Sequence, residues 1–320
     1  MKRIKKVLDG IPPSIINFIS VVSGILTIVS FTVTVLSAFF SKVELLRYSG
    51  VFCAVFAIVF GCLYWNKLIK YRQLAKKRLE VHSQEMALVD EKVAETLFDI
   101  LHFYKAKQLT LALLDTKVKA SLQALLDSLE RIMEIDTGQV VNACIKLILP
   151  AQTEITLDNA RIQTFVRSTK SSLARSAYDV NNSEPVYVKE NTDFYQIFAK
   201  KAEYFYEGNL LDYAQRLANI NERYKNTHLG WEDHYRGTIV VPIRIQHKFL
   251  HFTKQDKDYQ VIGFLCVDSM STDAFLPRQK KENIAFLQAH ASLVYILLNK
   301  YQHYLLKLIT LSSESGRKNA

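Results

Sequence analysis

Cysteine is scarce in this sequence, and its four occurrences lie far apart. Cys53 and Cys62 share one apolar run, while Cys144 and Cys266 each lie inside an apolar run that is typical of a β-strand. No C-x-x-C motif and no Cys/His spacing suited to zinc occurs, so a zinc site and a disulfide framework are both unsupported. We expect four reduced, buried thiols, as in a cytoplasmic domain.

Catalytic motifs are also missing. The sequence has no glycine-rich phosphate loop, no G-x-S-x-G, no H-E-x-x-H and no paired acidic motif. His228 and His234 flank Trp231 beside two acidic residues, but histidines in such a loop are commonly just solvated. We therefore predict that the chain is not an enzyme and that it has no metal site.

Charged residues are absent from residues 10–41 and again from residues 48–66. A mostly apolar run of about 18 residues or more is long enough to cross a bilayer as a helix. Residues 1–66 are therefore predicted to form a transmembrane hairpin, with spans at about 14–40 and 48–66 and a short loop between them. A cleaved signal peptide would have a shorter apolar region of ~7–15 residues.

Basic residues flank the predicted spans. Twelve of the 41 basic residues, but only three of the 31 acidic residues, lie in residues 1–80, so the rest of the chain is close to neutral. Positive-inside bias places both termini in the cytoplasm, which predicts a multi-pass protein of the cell inner membrane in contact with membrane lipid. The soluble part has no electrostatic footprint for nucleic acid.

Small and hydroxyl residues recur at helical spacing in both predicted spans. Such faces let helices approach closely and hydrogen-bond, so we expect packing within a hairpin or between the hairpins of a homo-oligomer. The alternative is that the hydroxyl stripes of several first spans line a polar path. The stripes consist of Ser20, Ser23, Thr27, Ser30, Thr34 and Ser37 in the first span, and of Gly50, Ala54, Ala57 and Gly61 in the second.

Glycine and proline are both missing between Asn66 and Gly138. Residues 67–110 are rich in good helix formers, which predicts a linker or signalling helix. Its apolar stripe suits either a dimeric coiled-coil stalk or a spacer that packs on the following domain. A second amphipathic helix is predicted over Leu111–Met133, ending at the stop signal Asp-Thr-Gly before residue 139.

After residue 138 the chain changes from strand-like runs to an irregular middle, then to two more strand-like runs and a closing helix. This order indicates an α+β domain with an antiparallel sheet and helices grouped on one side. A closing helix is predicted over Leu276–Leu308, and a disordered tail over residues 309–320. Pro242 suggests that its strand lies at an edge or has a bulge. The predicted strands are residues 140–149, 160–168, 185–188, 238–246 and 259–269.

Two of these strands carry a recognisable pattern. YRGTIVVPIRIQ begins at Tyr235, VIGFLCVDSMSTDAF ends at Phe275, and a long amphipathic helix follows. The pattern resembles the C-terminal half of a GAF domain. The likeness covers about residues 110–305, is specific over Gly237–Phe275, and predicts a GAF-like domain over residues 111–308. It implies a small-molecule sensor with a pocket between the sheet and the irregular middle segment, residues 171–235. Members of that family bind cyclic nucleotides, tetrapyrroles, haem or metabolites.

The sequence departs from several branches of that family. The two cysteines outside the predicted spans, Cys144 and Cys266, lie in strand-like runs, so no cysteine is placed to attach a bilin. The N-K-x-D…F-x-x-x-D-E signature of the cyclic-nucleotide members is missing. No haem, bilin or metal site is supported, and the cofactor is left unknown.

The middle segment is rich in aromatic residues with arginines between them. Aromatic faces and arginine forks suit a nucleotide or another planar anionic ligand. The alternative is that the tyrosines pack a lid helix and the arginines are solvated. Asp268 is a weaker candidate, expected to cap the turn after its strand. The predicted ligand-binding residues are Arg167, Asp193, Tyr235, Arg236 and Thr238.

These observations predict a membrane-anchored cytoplasmic sensor of a small molecule, with nucleotide second messengers as one ligand class. No kinase, cyclase or DNA-binding module follows the domain, so the output is expected through the hairpin or a protein partner. The alternative is a GAF-like protein-interaction module that binds no ligand. An enclosed pocket of roughly a few hundred Å³ favours the sensor, and a filled core with an exposed apolar patch favours the docking module.

Overall fold

The computed structural model describes residues 42–149, 155–175, 184–227, 230–244 and 261–318, with the backbone alone for residues 42–55, 57–58 and 312–318. The predicted first span and its hydroxyl stripe lie outside these ranges. Two compact units, Met1–Lys76 and Lys77–Ala320, divide the chain.

The first described element is one helix, α1, over Lys42–Lys105. It contains both the predicted second span and most of the predicted linker helix. The predicted loop at residues 42–47 is wrong: these residues begin α1, because leucine, lysine, glutamate and arginine favour helix. A search of the described helices finds none whose length and hydropathy would let it cross a bilayer. At Gly61, in the predicted small-residue stripe, a Cβ would meet nothing within 4 Å.

The second unit continues with five further helices and the six strands that the described residues contain. The helices are α2 (Leu111–Thr137), α3 (Thr169–Ala174), α4 (Thr192–Phe198), α5 (Leu210–Ala218) and α6 (Lys280–Lys318). The strands are β1 (Asn142–Ile148), β2 (Arg161–Arg167), β3 (Val186–Tyr187), β4 (Phe205–Glu207), β5 (Gly237–Ile243) and β6 (Gly263–Ser269).

Helix α2 ends where the sequence places its stop signal, and a threonine that was not singled out from the sequence caps its start. The Thr110 side chain accepts a hydrogen bond from the Leu113 backbone N–H at 3.2 Å. At the other end Gly138 is left-handed, with φ 69°, and its N–H donates to the Glu134 carbonyl. The predicted helix is confirmed, with its last turn extended to Thr137.

The strands form one antiparallel sheet in the order β3-β2-β1-β6-β5-β4. Strand β3 lies at an edge, as predicted for residues 185–188. Strand β4 was missed, since three residues are too few to show alternation. Strand β4 pairs only with residues 238–240 of β5, so Pro242 lies beyond its end. At Pro242, β5 therefore has no β4 partner on that side, as the prediction of an edge position requires.

Both faces of the sheet are covered, which corrects the prediction of helices on one side. On one face, alternate residues such as Ile145, Val241 and Leu265 share a core with α2, α6 and the end of α1. On the other face, Phe264 and Cys266 share a core with residues from the described ranges 155–175, 184–227 and 230–235, including α4 and α5. Antiparallel sheets commonly leave one face in solvent; here the aromatic middle segment closes it.

The domain boundaries also differ from prediction. Val89, Val93 and Ile100 of α1 are buried in the core of the second unit, so the predicted linker helix belongs to that domain from about Lys77. This favours the spacer that packs on the domain over the stalk. Helix α6 continues to Lys318, where a disordered tail was predicted, because its isoleucine and leucine residues extend the helical run.

Candidate functional site

A cavity of about 50 Å³ lies between the sheet and the middle segment, where the resemblance placed a pocket. Four strands, the residue that follows α3, the first turn of α4 with the asparagine before it, and the loop before β5 supply its walls. The lining residues are Cys144, Lys146, Thr164, Arg167, Arg175, Asn191, Asp193, Phe194, Asn226, Tyr235, Thr238, Val240, Cys266 and Asp268.

Strand alternation decides which sheet residues reach this cavity. Residues two apart on a strand share a face, so Thr238 and Val240 of β5 face the cavity while Ile239 faces the helical core. On β6, Cys266 and Asp268 do the same. One set of alternate strand residues is therefore buried in the helical core, and the other set lines the cavity.

A β-bulge turns Arg167 toward the cavity. In the β1–β2 pair, Ile145 is opposite Val166 but Lys146 is opposite Thr164, so Phe165 is an extra residue. An extra residue reverses the alternation beyond it. As a result Thr164 and Arg167, three positions apart, both line the cavity.

The register lines up three functional side chains across the sheet. Cys144 of β1 is opposite Arg167 on one side and opposite Cys266 on the other. Cross-strand neighbours have Cβ atoms about 4.5–5.5 Å apart. An arginine and two thiols therefore lie side by side on the cavity floor.

Charged residues of both signs surround the cavity. A guanidinium nitrogen of Arg175 lies 2.6 Å from Asp268 Oδ1, and both side chains are buried. Lys146 Nζ lies 5.1 Å from the centre of the Phe194 ring. Burial raises the pKa of Asp193 to about 6, although the charge of Lys146 and a hydrogen bond from the Phe194 N–H oppose the change.

Hydrogen bonds hold the wall of the middle segment in place. Asn191 Oδ1 accepts from the backbone N–H and the hydroxyl of Thr227, at 3.3 and 3.1 Å. The Asn226 amide donates to the Tyr235 hydroxyl. The guanidinium of Arg175 stacks 5.7 Å from the centre of the Tyr235 ring. The wall is therefore fixed by side chains that also line the cavity.

The two thiols have opposite acidities. A hydrogen bond from the Cys266 thiol lowers the pKa of Cys144, and the charges of Arg167 and Lys146 lower it further, although burial opposes them. The same hydrogen bond, together with burial, raises the pKa of Cys266. The geometry thus favours a thiolate at Cys144 that is stabilised by a neighbouring thiol and by two cations.

Four of the five predicted ligand-binding residues line the cavity: Arg167, Asp193, Tyr235 and Thr238. Arg236 does not, because it precedes β5, where strand alternation has not begun, and its side chain is exposed. Asp268 pairs with Arg175 instead of capping the turn. The turn is capped by the Ser269 hydroxyl, which accepts from the Ser271 N–H at 3.2 Å.

Sequence reasoning missed four of the charged or thiol side chains that line the cavity. Lys146 shares the alternation of Cys144 on β1, so a charged residue on an otherwise apolar strand could have signalled it. Cys144 and Cys266 were expected to be inert core residues, and only the pairing of their strands brings them together. Arg175 follows α3, and only the path of the chain reveals its approach to Asp268.

Several aromatic residues of the middle segment pack against one another. Tyr213, Tyr224, Trp231 and Tyr235 form successive ring contacts with centroids 5.0–6.1 Å apart. This supports the alternative in which they build a packed cover. Outside that cover lies an open groove of about 1140 Å³, and Asn226 lines both the groove and the cavity.

Comparisons with known proteins give limited likenesses. No family model and no curated protein matches the chain. Among solved structures, the GAF domain of a phosphoenolpyruvate-protein phosphotransferase from Coxiella burnetii matches at a TM-score of 0.36 and 12% identity, covering 67% of this chain and 96% of that one. The corresponding domain from Acinetobacter gives 0.34 and 12%, covering 66% and 96%.

A type II free methionine-R-sulfoxide reductase from Thermoplasma acidophilum matches at a TM-score of 0.33 and 13% identity, covering 57% of this chain and 96% of that one. Scores this low establish neither a shared fold nor a shared function. The chain is therefore described by its own architecture: an α+β domain around a six-stranded antiparallel sheet, with a charged cavity between the sheet and its aromatic cover.

Proposed function

We propose that the chain is a membrane-anchored cytoplasmic sensor whose GAF-like domain binds a small molecule through an anionic group. The observation that carries this proposal is the cavity, where Lys146, Arg167 and Arg175 face Asp193 and Asp268. One of the two carboxylates is held in an ion pair with Arg175. The balance of charge favours an anion, and arginine forks bind carboxylate and phosphate with paired hydrogen bonds.

The dimensions of the cavity restrict what enters it. A water molecule occupies about 30 Å³ in the liquid, so about 50 Å³ admits an anionic group and excludes a whole nucleotide. The larger groove shares Asn226 with the cavity and has Tyr224 and Trp231 in its lining. A phosphate in the cavity and a planar group in the groove would accommodate a nucleotide second messenger.

A ligand panel tests the proposal on the purified full-length chain in detergent. Thermal unfolding is measured with inorganic phosphate, small carboxylates, and cyclic and linear nucleotides. A ligand that binds only the folded state raises its stability by about 2.7 kcal/mol at a hundredfold excess over Kd. We expect a saturable rise in Tm with at least one anion and none with its uncharged analogue.

Matched arginine variants locate the binding site. Arg167→Gln removes a charge inside the cavity, and Arg236→Gln makes the same change at an exposed position outside it. The ligand-induced shift, compared within each variant, should be lost in the first and kept in the second. Equal shifts in both variants would place binding elsewhere and contradict the proposed site.

The membrane anchor is a separate part of the proposal. It is supported by the charge-free runs at residues 10–41 and 48–66 and by their basic flanks. Oligomers of the hairpin, or a protein partner, would carry the signal. Extraction of membranes at high pH tests the anchor: the full-length chain should stay in the membrane fraction, and release into the wash would contradict it.

The docking module remains a second candidate because two observations favour it. The cavity is far smaller than a typical ligand pocket, and exposed apolar residues such as Leu306, Ile309 and Leu311 lie near the end of α6. If the folded chain shows no thermal shift with any member of the panel, a protein-interaction module becomes the better description.

A further inference from the structure

We propose that Cys144 and Cys266 form a redox-active dithiol on the cavity floor, which a small hydroperoxide converts into a cross-strand disulfide. The site is built by the register of three strands, which sets Arg167, Cys144 and Cys266 side by side. Disulfide formation requires no bound ligand, so it can be tested even if the sensor proposal fails.

The backbone geometry permits this bond. Cys144 and Cys266 are directly opposite on antiparallel strands, where Cα atoms are about 4.5–5.5 Å apart. Disulfides need Cα atoms within about 4.4–6.8 Å. Both side chains lie on the cavity face of the sheet, so their sulfur atoms can meet without any shift in register.

The surroundings favour Cys144 as the attacking sulfur. Arg167 is its neighbour on β2, and Lys146 lies two residues along the same strand and the same face. Positive charges of this kind stabilise a thiolate, which is the nucleophile in thiol chemistry. The hydrogen bond between the two thiols lowers the pKa of Cys144 and raises the pKa of Cys266.

The oxidant reaches the thiols through the cavity. Cys144 and Cys266 are 3% and 5% exposed, and both line the space of about 50 Å³. That volume exceeds the share of one water molecule, about 30 Å³, so hydrogen peroxide can enter. A cavity of this size favours a small hydroperoxide as the oxidant.

The peroxide oxidises the two thiols in two steps. The Cys144 thiolate attacks a peroxide oxygen, an S–O bond forms as the O–O bond breaks, and the departing oxygen takes a proton to leave as water. The product is a sulfenic acid on Cys144. The Cys266 sulfur then attacks the Cys144 sulfur, an S–S bond replaces the S–O bond, and hydroxide leaves as water with the Cys266 proton. The two thiols lose two electrons, which reduce the peroxide.

The experiment uses the full-length chain with Cys53→Ala and Cys62→Ala, which leaves only the two cavity cysteines. Hydrogen peroxide is added in small excess, and the reaction is stopped by denaturing alkylation. Mass spectrometry should show loss of both thiols, a mass lower by two hydrogens, and a peptide linking Cys144 to Cys266. Reaction in denaturant should be slower, because unfolding separates Cys144 from Arg167.

Variants separate the roles of the residues. With Cys266→Ala, the reaction should stop at a sulfenic acid on Cys144 that a 1,3-diketone traps, and Cys144→Ala should leave Cys266 unmodified. At a pH well below the pKa of the Cys144 thiol, Arg167→Gln should slow the folded reaction by up to about tenfold, since there each unit by which the pKa rises lowers the thiolate fraction tenfold. Arg167→Lys should recover part of the rate. Arg236→Gln should leave it unchanged.

Two outcomes would overturn the proposal. One is oxidation that occurs only after unfolding, which would make both residues inert core thiols. The other is independent modification of Cys144 and Cys266 with no peptide linking them. An Arg167→Gln rate equal to that of the parent chain would remove the activating role of the cation and contradict the mechanism.

Discussion

Glu130 is a buried acid that holds the start of β1 against α3. Its Oε1 accepts hydrogen bonds from the Ala143 N–H at 2.7 Å and from the Ser168 hydroxyl, and Ser168 in turn caps α3. Burial raises the pKa of Glu130 from 4.5 to about 7, although these hydrogen bonds oppose the rise. The carboxyl is therefore protonated in the folded state at pH values where the unfolded chain has lost the proton.

The stability contributed by Glu130 should fall as pH rises. It is fully present below pH 4.5, declines from 4.5 to about 7, and is constant above that. Glutamine keeps an acceptor oxygen and cannot ionise. We expect Glu130→Gln to gain stability relative to the parent between pH 5 and 8, by up to about 3 kcal/mol.

Chemical denaturation at several pH values measures this difference. Burial also shifts the pKa values of Asp193 and His290. These residues are common to the parent and the variant, so the difference between their two curves of stability against pH isolates Glu130. Glu91→Gln, an exposed change on α1, serves as the control and should give a flat difference. A flat difference for Glu130→Gln as well would show that the carboxyl ionises normally.

The start of β6 has no room for a side chain. A Cβ on Gly263 would lie 2.4 Å from the Lys146 carbonyl oxygen and 2.9 Å from Leu147 Cδ2. Backbone cannot move aside as a flexible side chain can, so Gly263→Ala should separate β6 from β1. Overpacking of this kind costs about 1–3 kcal/mol. Equilibrium unfolding measures the loss.

Gly138 gives a matched comparison with a different cause. A Cβ there meets nothing within 4 Å, but φ is 69°, so Gly138→Ala is penalised by backbone conformation alone. Asparagine tolerates that conformation, and Gly138→Asn should recover part of the loss. Gly263→Asn should not, and recovery at Gly263 would argue against a steric clash between the strands.

On the scale of the whole molecule, the last turns of α1 are packed into the α+β domain. Ile100 is 1% exposed in the domain core, while Phe98 on the same helix is 69% exposed. Arg131 of α2 also donates two hydrogen bonds to Glu85 of α1, at 2.7 and 2.6 Å. The last turns of α1 are thus part of the domain, and a change in its core reaches this helix directly.

Two truncations on α1 test this assignment. Ile100→Ala should lower the free energy of unfolding of the domain by about 2–5 kcal/mol, because it leaves a cavity in the core. Phe98→Ala should change it by less than about 0.5 kcal/mol, as surface substitutions do. The reverse order would indicate a helix whose exposed face is buried against another chain, as in the coiled-coil stalk.

The sequence alone determined what depends on neighbours along the chain. The glycine that ends α2, the alternation of β1, β2, β5 and β6, and the helix-forming stretch before residue 110 follow from local propensity and period. Arg167, Tyr235 and Thr238 were found in the cavity because strand ends that face an irregular segment meet at one place. Asp193, the fourth predicted residue in the cavity, lies in α4. Strand β4 and the helical residues 42–47 and 309–318 were not predicted, since short or weakly patterned runs carry little local signal.

The tertiary structure decided what depends on pairing between distant residues. The bulge at Phe165 turns Arg167 into the cavity, the register sets Cys144 beside Cys266, and the chain path brings Arg175 to Asp268. The tertiary structure also decided how α1 packs, because its apolar stripe suits a stalk or a packed helix equally well. No local pattern contains these contacts, because burial and register are properties of the assembled sheet and the layers that cover it.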